Sequence, residues 1–494
     1  MIRRILTALL LVASAIAPAN AASTPLAKFY NQKLDWKKCE QRLECATFTV
    51  PLDYRKPNGR TITVTAARNK ATGTSRGNLL LNPGGPGGSG VDYILDAQYI
   101  VSPSIRRQFD LVSFDPRGVK RSTPLTCFTD KQTDAFLEVD QTPDTAAEQQ
   151  VFITRARQLI SACQQRDAQL MQHLSAAEIA RDMDILRALL GDERANYVGK
   201  SWGSTLGEVY AALFPQRVGL FVLDGAVDNK RSYIAASQDQ ARAFETSAQR
   251  FLAWCAKQKN CALGNTEAAA RTTLLRFFKT LDTKPLKTQN AKRPLTEAQA
   301  WTAFIGPLYV RNGGWDWLNE SLDAAISGKD GTALQEINDW FIERNARGQY
   351  TNNANTGIYA INCLDGFGAQ TLQQARRERA ATVKRMPILG QLFGWGDEAC
   401  AAWPYRAQEP VQRVQVKNVP PILILGTQYD PATPIQWARA LQTQIPKSVL
   451  VELAGDGHTA YAVGSACVDR IVNAFLLSEN VTTPVLPKNG TRCE

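Results

Sequence analysis

Short apolar runs alternate with amphipathic stretches in both the first and the last part of the chain. Residues 45–54 and 60–69 alternate between apolar and polar side chains around a turn at Lys56–Gly59, which predicts an antiparallel hairpin. Ser175–Leu190 has apolar residues at helical spacing, and Ser175 with Glu178 predicts a capping box at its start. Six further apolar runs are typical of buried parallel strands: Asn78–Asn82, Phe109–Phe114, Ala195–Val198, Gly219–Leu223, Pro421–Leu425 and Ser448–Leu453. This alternation predicts an α/β fold with a mostly parallel sheet and helices on both faces.

Residues 226–405 depart from that alternation. They are rich in helix formers and tryptophan, with helical patterns such as Ala241–Gln258, and they contain no clear strand run. We expect a large helical lid over the carboxyl ends of the strands, where α/β sheets bind ligands. The predicted division is a leader at 1–21, a first core part at 22–225, the lid at 226–405 and a second core part at 406–494.

The first 21 residues have the pattern of a secretory signal peptide. Arg3 and Arg4 precede the apolar run Ile5–Ile16, and Ala19-Asn20-Ala21 is a small-x-small cleavage site. We expect cleavage near Ala21 and a periplasmic or extracellular protein. An uncleaved anchor is the alternative, but the apolar run is short for a membrane span, and no other stretch is long enough.

Ten cysteines, an even number, indicate disulfides in an exported chain. The hypothesis is pairing in sequence order: Cys39 with Cys45, Cys127 with Cys163, Cys255 with Cys261, Cys363 with Cys400, and Cys467 with Cys493. A metal site is the rival interpretation, but the chain has no CxxC motif and only two histidines. We therefore predict neither a metal nor another cofactor.

The formal charge of +11 does not by itself indicate a nucleic-acid partner. The basic residues are scattered, without a dense Lys/Arg run or interleaved aromatic residues. We therefore predict that the chain does not bind nucleic acid.

Gly199–Gly203 carries the strongest local chemical signal. It reads G-K-S-W-G, follows a predicted strand and opens a helical run at Thr205–Leu213, which is the setting of a G-x-S-x-G nucleophile elbow. Glycines suit this turn because a side chain there would clash with the backbone. The motif predicts that Ser201 presents its hydroxyl as a nucleophile.

A serine hydroxyl needs a base, and the chain offers only His173 and His458. His173 lies in a polar stretch before a predicted helix, so we expect a loop or surface residue. His458 lies in a glycine-flanked loop after the last predicted strand, where we expect the base.

The acid that orients the base should lie between Ser201 and His458 in the chain. Asp430 follows the apolar strand that begins at Ile422, and it is the predicted acid. Asp224, directly after another predicted strand, is the alternative. Asp456 lies too close to His458 in sequence to be its partner.

An oxyanion hole requires two convergent N–H groups. Trp202, directly after the nucleophile, should supply one. The glycine-rich loop at 82–90 should supply the other, from Gly85 or else from Gly84. A phosphate-cradling loop is excluded because no lysine follows the last glycine.

These motifs together resemble the secreted tripeptidyl aminopeptidases, which are α/β-hydrolases related to proline iminopeptidases. The resemblance rests on Gly84–Gly88, Asp115–Gly118, Gly199–Gly203 and the Asp430/His458 ending, and it covers nearly the whole mature chain. It implies an α/β-hydrolase fold and a serine exopeptidase that needs no metal, with Ser201, Asp430 and His458 as its triad. Its substrates would be peptides with a free N-terminus.

The chain departs from that family at several positions. Lys200 is unusual within the elbow, Ser201–Leu206 is closer to the iminopeptidase version, and Pro83 replaces a histidine before Gly84. These departures leave the length of the released product open.

Two further residues have competing interpretations. A buried carboxylate would recognise a free amine, and Asp365 is the candidate, although a structural cap explains it equally well. Arg117 could contact substrate, but we expect it to bind neighbouring carboxylates.

The sequence leaves three functions open. An aminopeptidase is the first; a secreted esterase of small acyl substrates is the second, because esters and amides share a tetrahedral intermediate. A catalytically silent binding protein is the third, and the presence of all three triad residues argues against it.

Overall fold

A ten-stranded sheet forms the centre of the computed structural model, which describes residues 25–367, 372–393 and 400–494. The strands are β1 Lys37–Lys38, β2 Glu44–Pro51, β3 Thr61–Asn69, β4 Asn78–Asn82, β5 Asp110–Phe114, β6 Ala195–Lys200, β7 Val218–Asp224, β8 Ile422–Tyr429, β9 Val449–Asp456 and β10 Thr491–Cys493. Their order is β1-β2-β3-β5-β4-β6-β7-β8-β9-β10. β1 to β3 and the β3–β5 pair are antiparallel, and every later pair is parallel. The predicted hairpin and the mostly parallel sheet are confirmed.

Helices cover both faces of this sheet. The first group comprises α1 Ala27–Tyr30, α2 Gly90–Tyr93, α3 Ala97–Ile100, α4 Pro103–Gln108, α5 Asp130–Leu137, α6 Ala146–Asp167, α7 Ala176–Leu189 and α8 Trp202–Leu213. The helices α16 Ile435–Gln444 and α17 Ala466–Leu476 follow β8 and β9. One apolar cluster joins Phe221 and Leu223 of β7 to α7 and α8, and a second joins Leu220 and Val222 to α17. Alternate residues of one strand thus enter two cores, as a sheet covered on both faces requires.

The capping box predicted at the start of α7 is only half formed. The Ser175 side chain accepts the N–H of Glu178, as predicted. The Glu178 carboxylate, however, binds Nδ1 of His173 at 2.6 Å and does not return to the Ser175 N–H. That part of the prediction is wrong, because a nearby imidazole competes for the carboxylate.

Helices fill the chain between β7 and β8. They are α9 Tyr233–Cys255, α10 Glu267–Thr283, α11 Glu297–Ile305, α12 Gly314–Ile326, α13 Thr332–Phe341, α14 Ala354–Asn362 and α15 Leu372–Arg385. A single-turn π-helix lies at Cys363–Phe367, and a 3₁₀ turn at Gly306–Tyr309 joins α11 to α12. Phe251, Trp301 and Phe304 belong to a third apolar cluster, built largely from α9 to α13. This segment therefore has a core of its own, and its extent at 226–405 stays a prediction.

Five disulfides link the cysteines in sequence order, as predicted. The predicted signal peptide at 1–21 lies outside the described residues. None of the helices in the described ranges has the length and apolarity needed to cross a membrane.

Candidate active site

Ser201 lies in a sharp turn between β6 and α8. Its backbone has φ 56° and ψ −125°, a conformation that non-glycine residues rarely adopt and that clusters at functional sites. A Cβ on Gly199 would lie 2.3 Å from the Gly203 carbonyl oxygen, so the turn closes only with glycine there. The Ser204 hydroxyl donates to the Ser201 carbonyl oxygen at 2.6 Å and stabilises the turn. The local geometry is that of the predicted elbow.

His458 is held by Asp430. Both carboxylate oxygens of Asp430 lie 2.9 Å from His458 Nδ1. Asp430 is buried, and it also accepts the N–H groups of Ala432, Thr433 and Thr459 at 2.8–3.1 Å. These donors fix the carboxylate, and the carboxylate in turn fixes the plane of the imidazole.

The end of β7 lies against both Ser201 and His458. The Ser201 N–H donates to the Asp224 carbonyl oxygen at 2.8 Å. A Cβ on the next residue, Gly225, would lie 3.3 Å from His458 Cε1. Ser201 and His458 thus lie against two adjacent residues at the carboxyl edge of the sheet.

The other candidate acids and the other histidine have different partners. The Asp224 carboxylate accepts the N–H groups of Ala460 and Tyr461, and burial raises its pKa. Asp456 pairs with Arg250 of α9 at 2.6 Å. His173 follows a 3₁₀ turn and binds Glu178, in agreement with its expected position in a loop.

The glycine-rich loop lies directly over the elbow. A Cβ on Gly84 would be 2.9 Å from the Trp202 nitrogen and 3.0 Å from Ser201 Cβ. Trp202 is the first residue of α8, so its N–H has no acceptor within the helix. The Gly84 N–H donates to Asn82 Oδ1 at 2.9 Å, whereas the Gly85 N–H makes no hydrogen bond among the described residues. This difference favours Gly85 over Gly84 as the second donor to an oxyanion.

Asp365 and Arg117 are both buried, and each binds a residue of α7. Asp365 Oδ2 accepts the Ala176 N–H at 2.9 Å, while Oδ1 is buried without a partner in the described structure. Burial raises the pKa of Asp365 to about 8. The position at the first residue of α7 favours a capping role. Arg117 forms a bidentate pair with Asp182 at 2.7 Å, as expected of a residue that binds neighbouring carboxylates.

Two residues near the site carry no sequence signal for their contacts. Lys200 Nζ donates to the Tyr461 carbonyl oxygen at 2.8 Å, and burial lowers the pKa of this lysine. The Tyr309 carbonyl oxygen accepts the His458 N–H at 2.9 Å, and the Tyr309 ring meets the imidazole edge-on at 5.2 Å. Both contacts join residues more than 140 positions apart in the chain, so no local pattern could reveal them.

Two groups of side chains have the spacing to hold a metal ion. They are Asp53 with His173 and Glu178, and Asp140 with Glu148 and Asp282. Within the described ranges, neither group includes Ser201, His458 or Asp430. Asp53 and Glu178 already have the partners Arg55 and His173.

Comparison with known proteins identifies the family. Residues 77–465 match the model of the alpha/beta hydrolase fold. The chain is an α/β-hydrolase.

Three relatives each align over most of both chains. Hip1, a serine protease of Mycobacterium tuberculosis, is 30% identical over 91% of this chain and 87% of its own. The tripeptidyl aminopeptidase of Streptomyces lividans is 29% identical over 93% of this chain and 87% of its own. Carboxylesterase B of M. tuberculosis is 33% identical over 98% and 94%.

The resemblance inferred from the motifs is therefore confirmed. This α/β-hydrolase is a serine hydrolase.

Proposed function

We propose that this serine hydrolase is an aminopeptidase that releases short N-terminal peptides through an acyl-enzyme on Ser201. The observation that carries the proposal is the His458–Asp430 pair beside the Ser201 elbow, under a glycine loop in which the Gly85 N–H has no partner among the described residues. Trp202 and Gly85 complete the proposed site as donors to the oxyanion.

The hydrogen bonds of His458 determine its part in the reaction. Because Nδ1 faces the carboxylate of Asp430, Nδ1 carries the proton and Nε2 accepts the proton of the Ser201 hydroxyl. Serine Oγ then forms a bond to the scissile carbonyl carbon, and the resulting oxyanion takes hydrogen bonds from the Trp202 and Gly85 N–H groups. Asp430 stabilises the imidazolium during this step.

Collapse of the tetrahedral intermediate breaks the C–N bond. The imidazolium of His458 gives its proton to the leaving nitrogen, and the amine departs with the C-terminal part of the substrate. Water then enters, loses a proton to Nε2 and attacks the acyl-enzyme. The second intermediate releases the N-terminal piece and restores Ser201.

Two relatives support a peptide substrate, namely the tripeptidyl aminopeptidase and the serine protease Hip1. The helical segment between β7 and β8 supports an exopeptidase, because its Tyr309 contacts His458 and the segment can therefore restrict entry of long chains from that side. The second candidate function is a carboxylesterase, which the 33% identical relative Carboxylesterase B favours.

Recognition of a free N-terminus requires negative charge near the cleft. Asp365 stays a prediction for this role. Its contact with Ala176 favours the alternative, in which the carboxyl group caps α7.

Mass spectrometry of a peptide library with free and acetylated N-termini tests the proposal. We expect short N-terminal products from the free peptides only, and none from a Ser201→Ala variant. Turnover of p-nitrophenyl acyl esters without any turnover of free-amine peptides would establish the esterase instead.

We also propose export of the mature chain. Five disulfides in the described residues fit an oxidising compartment. N-terminal sequencing of the protein recovered from the periplasm and the medium should give a chain that starts near Ala22.

A further inference from the structure

A continuous row of aromatic rings runs from His458 to the protein surface. Tyr309 meets His458 at 5.2 Å, Phe341 meets Tyr309 at 5.6 Å, Trp340 meets Phe341 at 6.1 Å and Trp317 meets Trp340 at 5.1 Å between ring centroids. We call Tyr309, Phe341, Trp340 and Trp317 the aromatic strip. It connects the predicted base directly to solvent.

The outer end of the aromatic strip is exposed. Trp340 is 50% exposed and Phe341 is 37% exposed, and they are consecutive residues at the end of α13. Among the described residues the other exposed large apolar side chains, such as Tyr99, are separated from one another in sequence. Single exposed apolar residues are ordinary, whereas two adjacent exposed aromatic rings in contact form a small apolar patch that a ligand can cover.

The aromatic strip packs on the 3₁₀ turn whose last residue, Tyr309, binds His458. A Cβ on Gly306 would lie 3.0 Å from the Phe341 ring and 3.3 Å from the Trp340 ring, so both rings pack on the backbone there. Gly306 begins the 3₁₀ turn that ends at Tyr309, whose carbonyl oxygen accepts the His458 N–H. The distance between the exposed rings and the imidazole is thereby fixed.

The reaction determines which part of a substrate meets this surface. In the proposed mechanism, His458 delivers a proton to the leaving nitrogen, so the leaving part of the substrate must lie on the imidazole side of the scissile bond. In an aminopeptidase the leaving part is the long C-terminal remainder of the peptide. A surface that continues outward from His458 is therefore in position to contact that remainder.

We propose that the aromatic strip binds the C-terminal remainder of the peptide substrate and selects apolar and aromatic side chains just after the scissile bond. This inference rests on the proposed function and specifies its substrates. Contacts of an aromatic side chain with the two exposed rings correspond to about tenfold in kcat/KM.

The test uses two peptides with the same N-terminal residues and different leaving segments, Phe-Phe-amide and Gly-Gly-amide. Wild-type enzyme should prefer the Phe-Phe peptide by about tenfold, mainly through KM. A Trp340→Ala/Phe341→Ala double variant should lose this preference, measured as the ratio of kcat/KM for the two peptides, so that a rate change common to both peptides does not affect the result. Tyr99→Ala, which removes a 71% exposed ring from α3, is the matched control and should behave as wild type.

Each outcome decides a different claim. A double variant that keeps the preference, or that loses both activities equally while a fluorophosphonate still labels Ser201 at the wild-type rate, overturns the role of the aromatic strip. Wild-type enzyme that hydrolyses esters but neither peptide refutes the proposed function instead. The aromatic strip is then judged with benzyl and ethyl esters of one acyl group, and equal discrimination by wild type and variant overturns it.

Discussion

Replacement of Lys200 by methionine should loosen the loop that carries His458. Lys200 and Asp224 are paired in register on β6 and β7, and both contact Tyr461. Lys200 Nζ donates to the Tyr461 carbonyl oxygen at 2.8 Å, and the Asp224 carboxylate accepts the Tyr461 N–H at 3.0 Å. Together the two side chains bind the backbone N–H and the carbonyl oxygen of Tyr461, three residues after His458, so we regard Lys200 as a positioning residue.

The magnitude follows from the contacts that the substitution removes. A hydrogen bond from a charged donor contributes about 1.5–3 kcal/mol, and its loss leaves the Tyr461 carbonyl oxygen unpaired. The lysine charge also lowers the pKa of Asp224, which burial raises, so its removal makes the buried carboxylate less stable. We expect Lys200→Met to lower the free energy of unfolding by about 2–3 kcal/mol.

The same change should reduce catalysis more than binding. A displacement of about 1 Å in a catalytic group can cost about a hundredfold in rate, so we expect kcat to fall at least tenfold with little change in KM. Urea denaturation and steady-state kinetics on one preparation measure both effects. Lys37→Met, which breaks an exposed pair with Asp35, should change neither and serves as the control.

A double variant separates positioning from general damage. Lys200→Met/Asp224→Asn removes both charges, so its loss of stability should be smaller than the sum of the two single losses. Wild-type stability and wild-type kcat in Lys200→Met would refute the reasoning, as would strict additivity in the double variant.

Three further predictions concern Asp430, Asp365 and one disulfide. Asp430→Asn should lower kcat by about 10⁴-fold, because an amide does not hold the productive tautomer of His458. Active-site titration of Ser201 would then show intact sites with slow turnover. Activity within tenfold of wild type would exclude Asp430 as the acid. The pKa of Asp365 is raised from 3.8 to about 8, so the folded protein keeps a proton that the unfolded chain loses, and the associated stability is lost as pH rises from about 4 to 8. Asp365→Asn should accordingly have a higher melting temperature than wild type at pH 8 but not at pH 4. If the same variant keeps the preference for free over acetylated N-termini, Asp365 does not recognise the substrate amine. Replacement of Cys127 and Cys163 by serine opens a linkage of sequence separation 36 and should cost about 4 kcal/mol in urea unfolding, and a loss below 1 kcal/mol would contradict this loop-entropy value.

The accuracy of the strand predictions followed the strength of the local pattern. The run Asn78–Asn82 forms β4 with the predicted bounds, because a buried parallel strand needs apolar side chains on both faces. β1 at Lys37–Lys38 and β10 at Thr491–Cys493 were not predicted. They are two and three residues long and polar, so only pairing with a neighbouring strand defines them.

The choice among candidate site residues depended on the fold. Asp430 and Asp224 both follow apolar strands, and their sequence contexts are similar. In the structure Asp430 meets the imidazole while Asp224 binds backbone N–H groups of Ala460 and Tyr461. The catalytic role of Asp430 stays a prediction until the variants are measured.

The sequence by itself determined the fold class, the elbow at Ser201 and the two possible bases, because each of these depends on residue type and short spacing. Disulfide pairing in sequence order was a hypothesis, and the structure confirms it by bringing distant cysteines together. Only the tertiary structure decided that Gly84 uses its N–H internally while that of Gly85 has no partner in the described part of the chain, and that Lys200 reaches the His458 loop. The aromatic strip also emerged only there, since its members come from separate helices and turns. Contacts of this kind depend on how distant segments pack. Local periodicity predicts helices and strands, but it does not show which distant residues will touch.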